Sequence, residues 1–343
     1  AITIIQLKLE GQLIERHPEW GMGKRDIFRM VDFDRGTVTI DGSEYELLDK
    51  NFPTVCRKDP LSLTDAENEL MSVLENSFMH SERLNSHIRF LYSKGSMYKT
   101  INGNLLFHGC IPLDENGQLQ SVNIAGTDYS GKALLDKLDE IANKAYFMQP
   151  GAEKDYAADY MWYLWSGARS PLYGKDKMAF FERYFLDDKK LHKENYNAYY
   201  HFSEQAEVCG RILEMFGLDP ERGHIINGHV PVKIKNGEKP VKAGGKLFVI
   251  DGGISKAYQK ATGIAGYTLI YDSHSLNLAE HKPFVAGESE HTPEIHLVER
   301  LERRANISDT DKGAELLEQI NDLRELLRAY RSGEIKESGR RVN

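Results

Sequence analysis

Two histidines are candidates for chemistry because each directly follows an apolar, strand-like run and has a glycine as its neighbour. His108 occurs in NLLFHGC and His229 in IINGHVPV. In α/β proteins, side chains at the carboxyl ends of strands converge on an open crevice, and glycine lets a metal ion or phosphate approach the backbone. Neutral imidazole commonly binds divalent ions, so the pair predicts half of a metal site. A hydrogen-bonded histidine at a sheet edge is the alternative for each, and the residues alone leave both interpretations open.

Two arginines between these histidines carry side chains suited to phosphate. Arg169 lies in the loop-like run Gly-Ala-Arg-Ser, and its planar guanidinium matches the geometry of phosphoryl oxygens. Arg183 falls within a predicted helix and is interpreted as a surface group. Because ligand-binding residues concentrate on loops, Arg169 is the candidate phosphate ligand.

A glycine pair after a predicted strand, in VIDGGISKAYQKATGIAGY (249–267), indicates a tight turn near a ligand. Lys256, Tyr258 and Lys260 follow this turn and are able to face an anion. A turn with solvated lysines is the alternative, and it is the favoured interpretation for Lys260.

Several common catalytic and nucleotide-binding signatures do not occur in the sequence. There is no G-x-x-x-x-G-K-[ST] and no G-x-G-x-x-G after a strand, so a nucleotide-cradling loop is unsupported. Ser166 and Ser255 lack a G-x-S-x-G elbow, and Cys110 has no evident activating partner. Nucleophilic catalysis by these residues is therefore not expected.

Composition narrows the functional classes further. The 343 residues include 44 Lys and Arg against 52 Asp and Glu, a formal net charge of −8 that argues against nucleic-acid binding. Three widely spaced cysteines exclude a disulfide framework and fit a reducing cytoplasm. No apolar run approaches the roughly 18 residues of a membrane span. We therefore expect a cytoplasmic protein without a membrane or nucleic-acid partner.

Local signals predict the elements that position the candidate residues. The pairs Asp41–Gly42 and Asn102–Gly103 predict β-hairpins, and the second hairpin ends at His108. Thr64 and Glu67 form a capping box that predicts a helix over 65–79. Apolar periodicity predicts further helices over 1–16 (with a strand as the alternative), 82–94, 131–146, 153–164, 176–185, 203–216 and 316–330, and strands are predicted within 246–253 and 265–273.

Four ordered segments together resemble a known family. They are FHGC (107–110), LWSGARSP (164–171), INGHVPVK (226–233) and FVIDGG…AGYTLIYDS (248–273). The chain resembles the carboxyl-terminal half of calcineurin-like metallophosphoesterases, and most closely the bacterial class 3 fructose-1,6-bisphosphatases.

This resemblance implies an α/β (α+β) sandwich of mixed sheets flanked by helices, with two divalent ions, Mn²⁺ or Mg²⁺, at the strand ends. It implies hydrolysis of fructose 1,6-bisphosphate to fructose 6-phosphate and phosphate, as in gluconeogenesis. Matched residue by residue, His108 and His229 would bind one metal ion, Arg169 would bind and stabilise phosphate, and Tyr258 would be an active-site tyrosine. Lys256 is the further candidate for substrate binding.

The sequence also departs from the superfamily pattern. The motifs G-D-x-H-G, G-D-x-x-D-R-G and G-N-H-[DE], which supply the remaining metal ligands, are not found in the 343 residues, and residue 1 is Ala. The expectation is therefore a part of a longer enzyme that binds metal weakly and is inactive alone. The predicted regions are an accessory helical and hairpin lobe (1–95), the metallophosphoesterase half-domain (96–285), and C-terminal helices with a mobile tail (286–343).

Two alternatives remain open at this point. One is another phosphatase of the same superfamily, acting on phosphoproteins or dinucleoside polyphosphates. The other is a non-catalytic assembly module, in which the apolar stripe of the C-terminal helix would form a homo-oligomer interface.

Overall fold

The computed structural model describes residues 2–283 and 292–335. The helices of these residues are α1 (Ile2–Arg16), α2 (Asp65–Met79), α3 (Glu82–Lys94), α4 (Gly131–Phe147), α5 (Ala152–Ser166), α6 (Phe180–Phe185), α7 (Tyr199–Phe202), α8 (Ala206–Met215), α9 (Lys256–Thr262) and α10 (Asp311–Ser332). The strands are β1 (Val31–Asp32), β2 (Thr37–Ile40), β3 (Ser43–Glu46), β4 (Tyr98–Ile101), β5 (Asn104–Phe107), β6 (Val122–Ile124), β7 (Thr127–Tyr129), β8 (Ile225–Asn227), β9 (Val241–Lys242), β10 (Leu247–Val249), β11 (Gly266–Tyr271), β12 (Ser275–His281) and β13 (Glu294–Arg300).

The sheet that contains the strands preceding the candidate histidines has the order β4-β5-β8-β10-β9. β8 pairs in parallel with β5 on one side and with β10 on the other, while β9 runs antiparallel to β10. Antiparallel sheets are formed by β1-β2-β3 and by β11-β12-β13, and β6 pairs with β7. The combination of helices with parallel and antiparallel strands confirms the predicted mixed α/β class.

The chain divides into two compact units. The first unit consists of Ala1–Tyr98 and Phe107–Glu204, and the second of Lys99–Leu106 and Gln205–Asn343. Residues 1–95 are thus grouped with later residues in the first unit. The three regions expected from the sequence remain a prediction, and the tail over 336–343 lies outside the described residues.

The core of the first unit forms around amphipathic helices. Leu134, Leu138 and Ile141 recur at helical spacing on α4 and pack with Tyr160 and Leu164 of α5. A second cluster joins α1, the β1-β2-β3 sheet and α6 through Leu7, Phe28, Val38 and Phe181.

The core of the second unit centres on the parallel strands. Every residue of β8 and β10 is buried, as expected for strands covered on both faces. Leu105 of β5 and Ile225 of β8 lie opposite each other and are completely buried. The apolar runs that precede the two candidate histidines are therefore core strands.

Local signals located several elements correctly. α2 begins with the predicted capping box: the Thr64 hydroxyl accepts the Glu67 N–H, and the Glu67 carboxylate accepts the Thr64 N–H at 2.8 Å. Asp41 and Gly42 have φ of 47° and 80°, as a type I′ turn requires. α10 ends at Gly333, whose φ of 80° is left-handed.

Other elements differ from the prediction. The helix expected over 176–185 is reduced to α6, because the backbone before it bonds elsewhere: Asp176 N–H donates to Asn195 O, and Met178 O accepts from Arg25. β13 lies in the region for which helices were predicted. Among the described residues, no helix is both long and apolar enough to cross a bilayer.

Candidate functional site

His108 is the first residue after β5, and its side chain is exposed. The buried backbone that follows is fixed to the loop that carries Arg169. Cys110 N–H donates to Pro171 O at 2.9 Å, and a β-carbon at Gly109 would overlap that same carbonyl oxygen. Only glycine at 109 allows this approach, so the segment holding His108 has little freedom to move.

His229 occupies an unusual backbone conformation two residues after β8. Its φ is 66°, in the left-handed region that costs energy for any residue with a β-carbon. Val230 N–H donates to Gly228 O at 2.8 Å, so His229 is the central residue of a three-residue γ-turn with positive φ, a rare and strained form. Such strain concentrates at functional sites, which makes His229 a stronger candidate than its sequence motif alone did.

The two strands that precede these histidines are parallel neighbours. Leu105 and Leu106 of β5 lie opposite Ile225 and Ile226 of β8. β5 and β8 therefore run in the same direction, and His108 and His229 each follow the carboxyl end of one of these strands. The metal half-site itself stays a prediction.

The described residues offer fewer grouped metal-binding side chains than a divalent ion requires. Among the described residues, no group of three or more His, Cys, Asp or Glu side chains is arranged to hold a metal ion. Mn²⁺ and Mg²⁺ usually take about six ligands, largely oxygens. The described residues therefore do not form a complete set of metal ligands, and the binding of one ion by His108 and His229 stays a prediction.

Arg169 lies in a loop of the first unit that follows α5. Its Nη1 donates to Ser121 O at 3.2 Å, and the side chain is otherwise exposed. The loop is fixed by Ser170, which is buried and whose hydroxyl donates to Leu164 O and accepts the N–H of Leu172. Burial raises the pKa of the neighbouring Tyr163 to about 12, although the Arg169 charge opposes that rise.

Lys256 and Tyr258 lie on the short helix α9 in the second unit. Both side chains are exposed, Tyr258 to 60%. Because residues two apart point in different directions around a helix, the two side chains do not face each other. Lys260 is also exposed, and Arg183 on α6 pairs at the surface with Glu194, in agreement with the surface interpretation of these two residues.

The structure also describes the surroundings of Cys110, Ser166 and Ser255, for which the sequence predicted no nucleophilic role. Burial raises the pKa of the Cys110 thiol, which disfavours the reactive thiolate. Ser166 is completely buried, and its hydroxyl donates to Trp162 O. Ser255 precedes α9 as its N-cap residue. None of the three acquires a catalytic arrangement.

His224 is a notable residue that no motif singled out. Its ring is buried, with Nδ1 2.8 Å from Asn104 Oδ1 and Nε2 2.8 Å from Glu299 Oε2. Burial lowers the pKa of His224, although the Glu299 carboxylate opposes this. It precedes β8, at the opposite strand end from His229, so a search for histidines after strands does not find it.

Comparison with known proteins defines the class of protein. The chain belongs to the family described as Firmicute fructose-1,6-bisphosphatase, whose model matches residues 1–332. The resemblance inferred from the four motifs is therefore confirmed.

Individual relatives agree with this family. A fructose-1,6-bisphosphatase class 3 of Clostridium botulinum (strain Alaska E43 / Type E3) is 52% identical over 98% of this chain and 52% of its own length. One of Bacteroides fragilis is 53% identical over the same shares. The chain thus spans about half the length of the curated relatives it matches. No solved structure matches it significantly.

The missing aspartate motifs led to the expectation of a partial, inactive chain. The family model nevertheless matches residues 1–332, so the absence of these motifs does not place the chain outside the family. The incomplete set of metal ligands is a finding about the described residues alone, and it still holds.

Proposed function

We propose that the protein hydrolyses fructose 1,6-bisphosphate to fructose 6-phosphate and phosphate, and that His108 and His229 bind a divalent metal ion in this reaction. The parallel pairing of β5 with β8 supports the proposal, because each histidine follows the carboxyl end of one of these two strands. Family membership supports the substrate, and the strained backbone at His229 supports a role beyond packing.

The proposed metal is Mn²⁺ or Mg²⁺, with two ions in the active enzyme. A bound divalent ion lowers the pKa of a coordinated water and offsets the negative charge of a phosphoryl group. His108 and His229 must each be neutral to offer a ring nitrogen to a metal ion. The calcineurin-like sandwich is part of the same proposal.

The remaining predicted residues receive substrate-directed roles. Arg169 can donate two parallel hydrogen bonds to phosphoryl oxygens and stabilise the charge that develops on them. Its anchored loop, tied through Pro171 to the segment of His108, holds it in place for this role. We assign Lys256 to substrate binding and Tyr258 to the active site on the resemblance and on their exposure.

We further propose a cytoplasmic location and a small-molecule sugar bisphosphate as the partner, without nucleic acid or membrane. The anionic substrate requires local positive charge in a chain whose formal net charge is −8, and the metal ions with Arg169 would provide it.

The experiment measures phosphate release from fructose 1,6-bisphosphate at millimolar Mn²⁺ or Mg²⁺, since two imidazoles hold an ion weakly. Wild type is compared with His108→Ala, His229→Ala and the control His87→Ala, an exposed histidine on α3. We expect metal-dependent release by wild type and the control, and a loss of about 100-fold or more in the two ligand variants.

Three results would overturn the proposal: no metal-dependent release by the wild type, equal rates in all variants, or faster hydrolysis of a phosphoprotein or dinucleoside polyphosphate. The last would favour another phosphatase of the superfamily. No hydrolysis of any substrate would favour a non-catalytic module.

A further inference from the structure

The first unit contains a cavity of about 520 Å³ that no sequence motif predicted. This volume falls within the range of roughly 300–1,000 Å³ typical of small-molecule sites. Its walls combine apolar and aromatic side chains with charged ones, including Trp20, Met22, Arg25 and Arg169. A ligand with both a carbon skeleton and a charged group would match such walls.

The aromatic wall is held rigidly. The Trp20 ring stacks on His17 with centroids 4.1 Å apart and meets the edge of Tyr160 at 5.6 Å. His17 is in turn fixed between Glu19 and Asp159, at 3.0 and 2.9 Å. A preformed wall of this kind binds a ligand without the cost of ordering side chains.

Two guanidinium groups line the cavity without a carboxylate partner. Arg25 Nη2 donates to Met178 O at 2.9 Å, and Arg169 Nη1 donates to Ser121 O at 3.2 Å. Neither forms an ion pair within the described residues, and Arg25 Nη1 is buried without an acceptor. Both side chains are therefore anchored by the backbone while their charges remain uncompensated by a direct contact.

The lining of the cavity has no formal net charge, because its acidic and basic residues are equal in number. Its acidic side chains already have partners. Glu182 accepts from Lys177 at 3.1 Å, and the Asp176 carboxylate accepts two bonds from Asn195. Glu19 is bonded to His17. Asp41 faces Lys24 at 3.8 Å. Of the cationic side chains in the lining, the two guanidiniums are the ones without a carboxylate partner within the described residues.

We infer that this cavity binds the phosphate group of a small organic phosphate, with Arg25 and Arg169 as its ligands. A phosphate monoester carries nearly two negative charges, equal to the charge of the two guanidiniums, and its oxygens suit their forked donors. The aromatic wall contacts the carbon skeleton. Arg169 also has a role in the proposed hydrolysis, whereas Arg25 does not, so Arg25 separates the two proposals.

The test measures binding by calorimetry on the whole chain in EDTA, which removes metal ions from any contribution. The probes are fructose 6-phosphate, inorganic phosphate and fructose. We expect the two phosphates to bind and fructose not to, and Arg25→Met to weaken binding about tenfold or more. Arg29→Met is the matched control, because Arg29 pairs at the surface with Glu15 and Asp26 and is outside the lining.

Arg25→Lys, which keeps the charge but loses the fork, is the second variant and is expected to bind with intermediate affinity. Thermal unfolding of each variant shows whether the fold is kept. Equal phosphate affinity in wild type and Arg25→Met, or binding of fructose as tight as that of its phosphate, would overturn the inference. If the wild type binds phosphate but does not hydrolyse fructose 1,6-bisphosphate, that result counts against the proposed function alone.

A competition arm identifies the source of the phosphate. If the cavity takes a phosphate of the substrate, fructose 1,6-bisphosphate displaces the probe and Arg25→Met raises KM. If it takes a separate metabolite, probe and substrate bind together and KM is unchanged. Either result supports the phosphate site.

Discussion

The backbone N–H of Cys110 donates to the carbonyl oxygen of Pro171 at 2.9 Å, and this bond fixes the segment of His108 to the loop of Arg169. The two candidate residues lie on either side of one backbone contact within the first unit. The position of a proposed metal ligand therefore depends on a loop more than 50 residues away in the sequence.

The first prediction concerns Gly109, which allows that contact. In Gly109→Ala the added methyl overlaps Pro171 O, so the backbone must move, at an expected cost of about 1–3 kcal/mol in the free energy of unfolding. Urea unfolding measures the loss. Gly23→Ala is the control, because its β-carbon meets no atom within 4 Å and its φ is not positive. Equal stability of the two variants would show that the contact is not as close as described.

The second prediction uses the left-handed backbone of His229. Glycine adopts this conformation without a steric penalty, so we expect His229→Gly to be about 0.5–1 kcal/mol more stable than His229→Ala. Both variants lose the imidazole, so only the backbone differs between them. Urea unfolding of the pair gives the difference.

The matched comparison for this prediction is His108, which has no positive φ. There we expect the opposite order, with His108→Gly less stable than His108→Ala because glycine gains more entropy on unfolding. The same order at both positions would contradict the γ-turn at His229.

The third prediction concerns a buried ion pair between α1 and α2. Lys8 is completely buried, and its ammonium donates to Glu67 at 2.7 Å and to Thr54 O. Burial favours a raised pKa for Glu67, but the bonds from Lys8 and Thr64 outweigh it and lower the pKa from 4.5 to about 2. This contribution to stability is complete above pH 4.5 and is lost as the pH falls toward 2.

Lys8→Met leaves the Glu67 carboxylate buried without its cation and should cost about 3–5 kcal/mol at neutral pH. Its deficit relative to wild type should shrink as the pH falls below 4.5, where the carboxyl is protonated in the unfolded chain. Urea unfolding across this range measures both effects. A deficit that does not change with pH would mean that lost packing, and not the ion pair, explains the variant.

The fourth prediction concerns His224, which joins β13 to the central sheet of the second unit through Glu299. Its pKa is lowered on folding, so the unfolded chain binds a proton more readily. The contribution of His224 to the free energy of unfolding is therefore fully present above pH 6.5 and decreases as the pH drops below that value. His224→Gln should show a weaker loss of stability between about pH 8 and about pH 5.5 than wild type does. Parallel pH profiles would exclude His224 as the cause.

The features predicted correctly from the sequence are those that short-range interactions determine. The Thr64 capping box located the start of α2, and the Asp41–Gly42 pair located a hairpin, because both act within a few residues. The helix predicted over 176–185 was too long, because Asn195 and Arg25, both distant in sequence, bond the backbone of its first turn. Such competition depends on the fold and leaves no local pattern.

The candidate site likewise combines features that the sequence predicted with features that only the folded structure shows. Strand ends and adjacent glycines pointed to His108 and His229, but the γ-turn at His229 and the overlap at Gly109 need three-dimensional neighbours to be recognised. Arg25 lies in the run Met-Gly-Lys-Arg, a basic pair beside a glycine that carried no motif. Its significance comes from the Met178 carbonyl, which anchors it, and from Arg169, which lines the same cavity, and both are brought to it only by folding.

The pairing of β5 with β8 also sets an order of events during folding. Ile225 leaves the ribosome 120 residues after Leu105, so β5 has no partner on that side until then. Contacts this distant in sequence form slowly and leave an apolar edge open to aggregation meanwhile. A polypeptide beginning at Gln205 would lack β4 and β5 altogether and would expose the buried edge of β8.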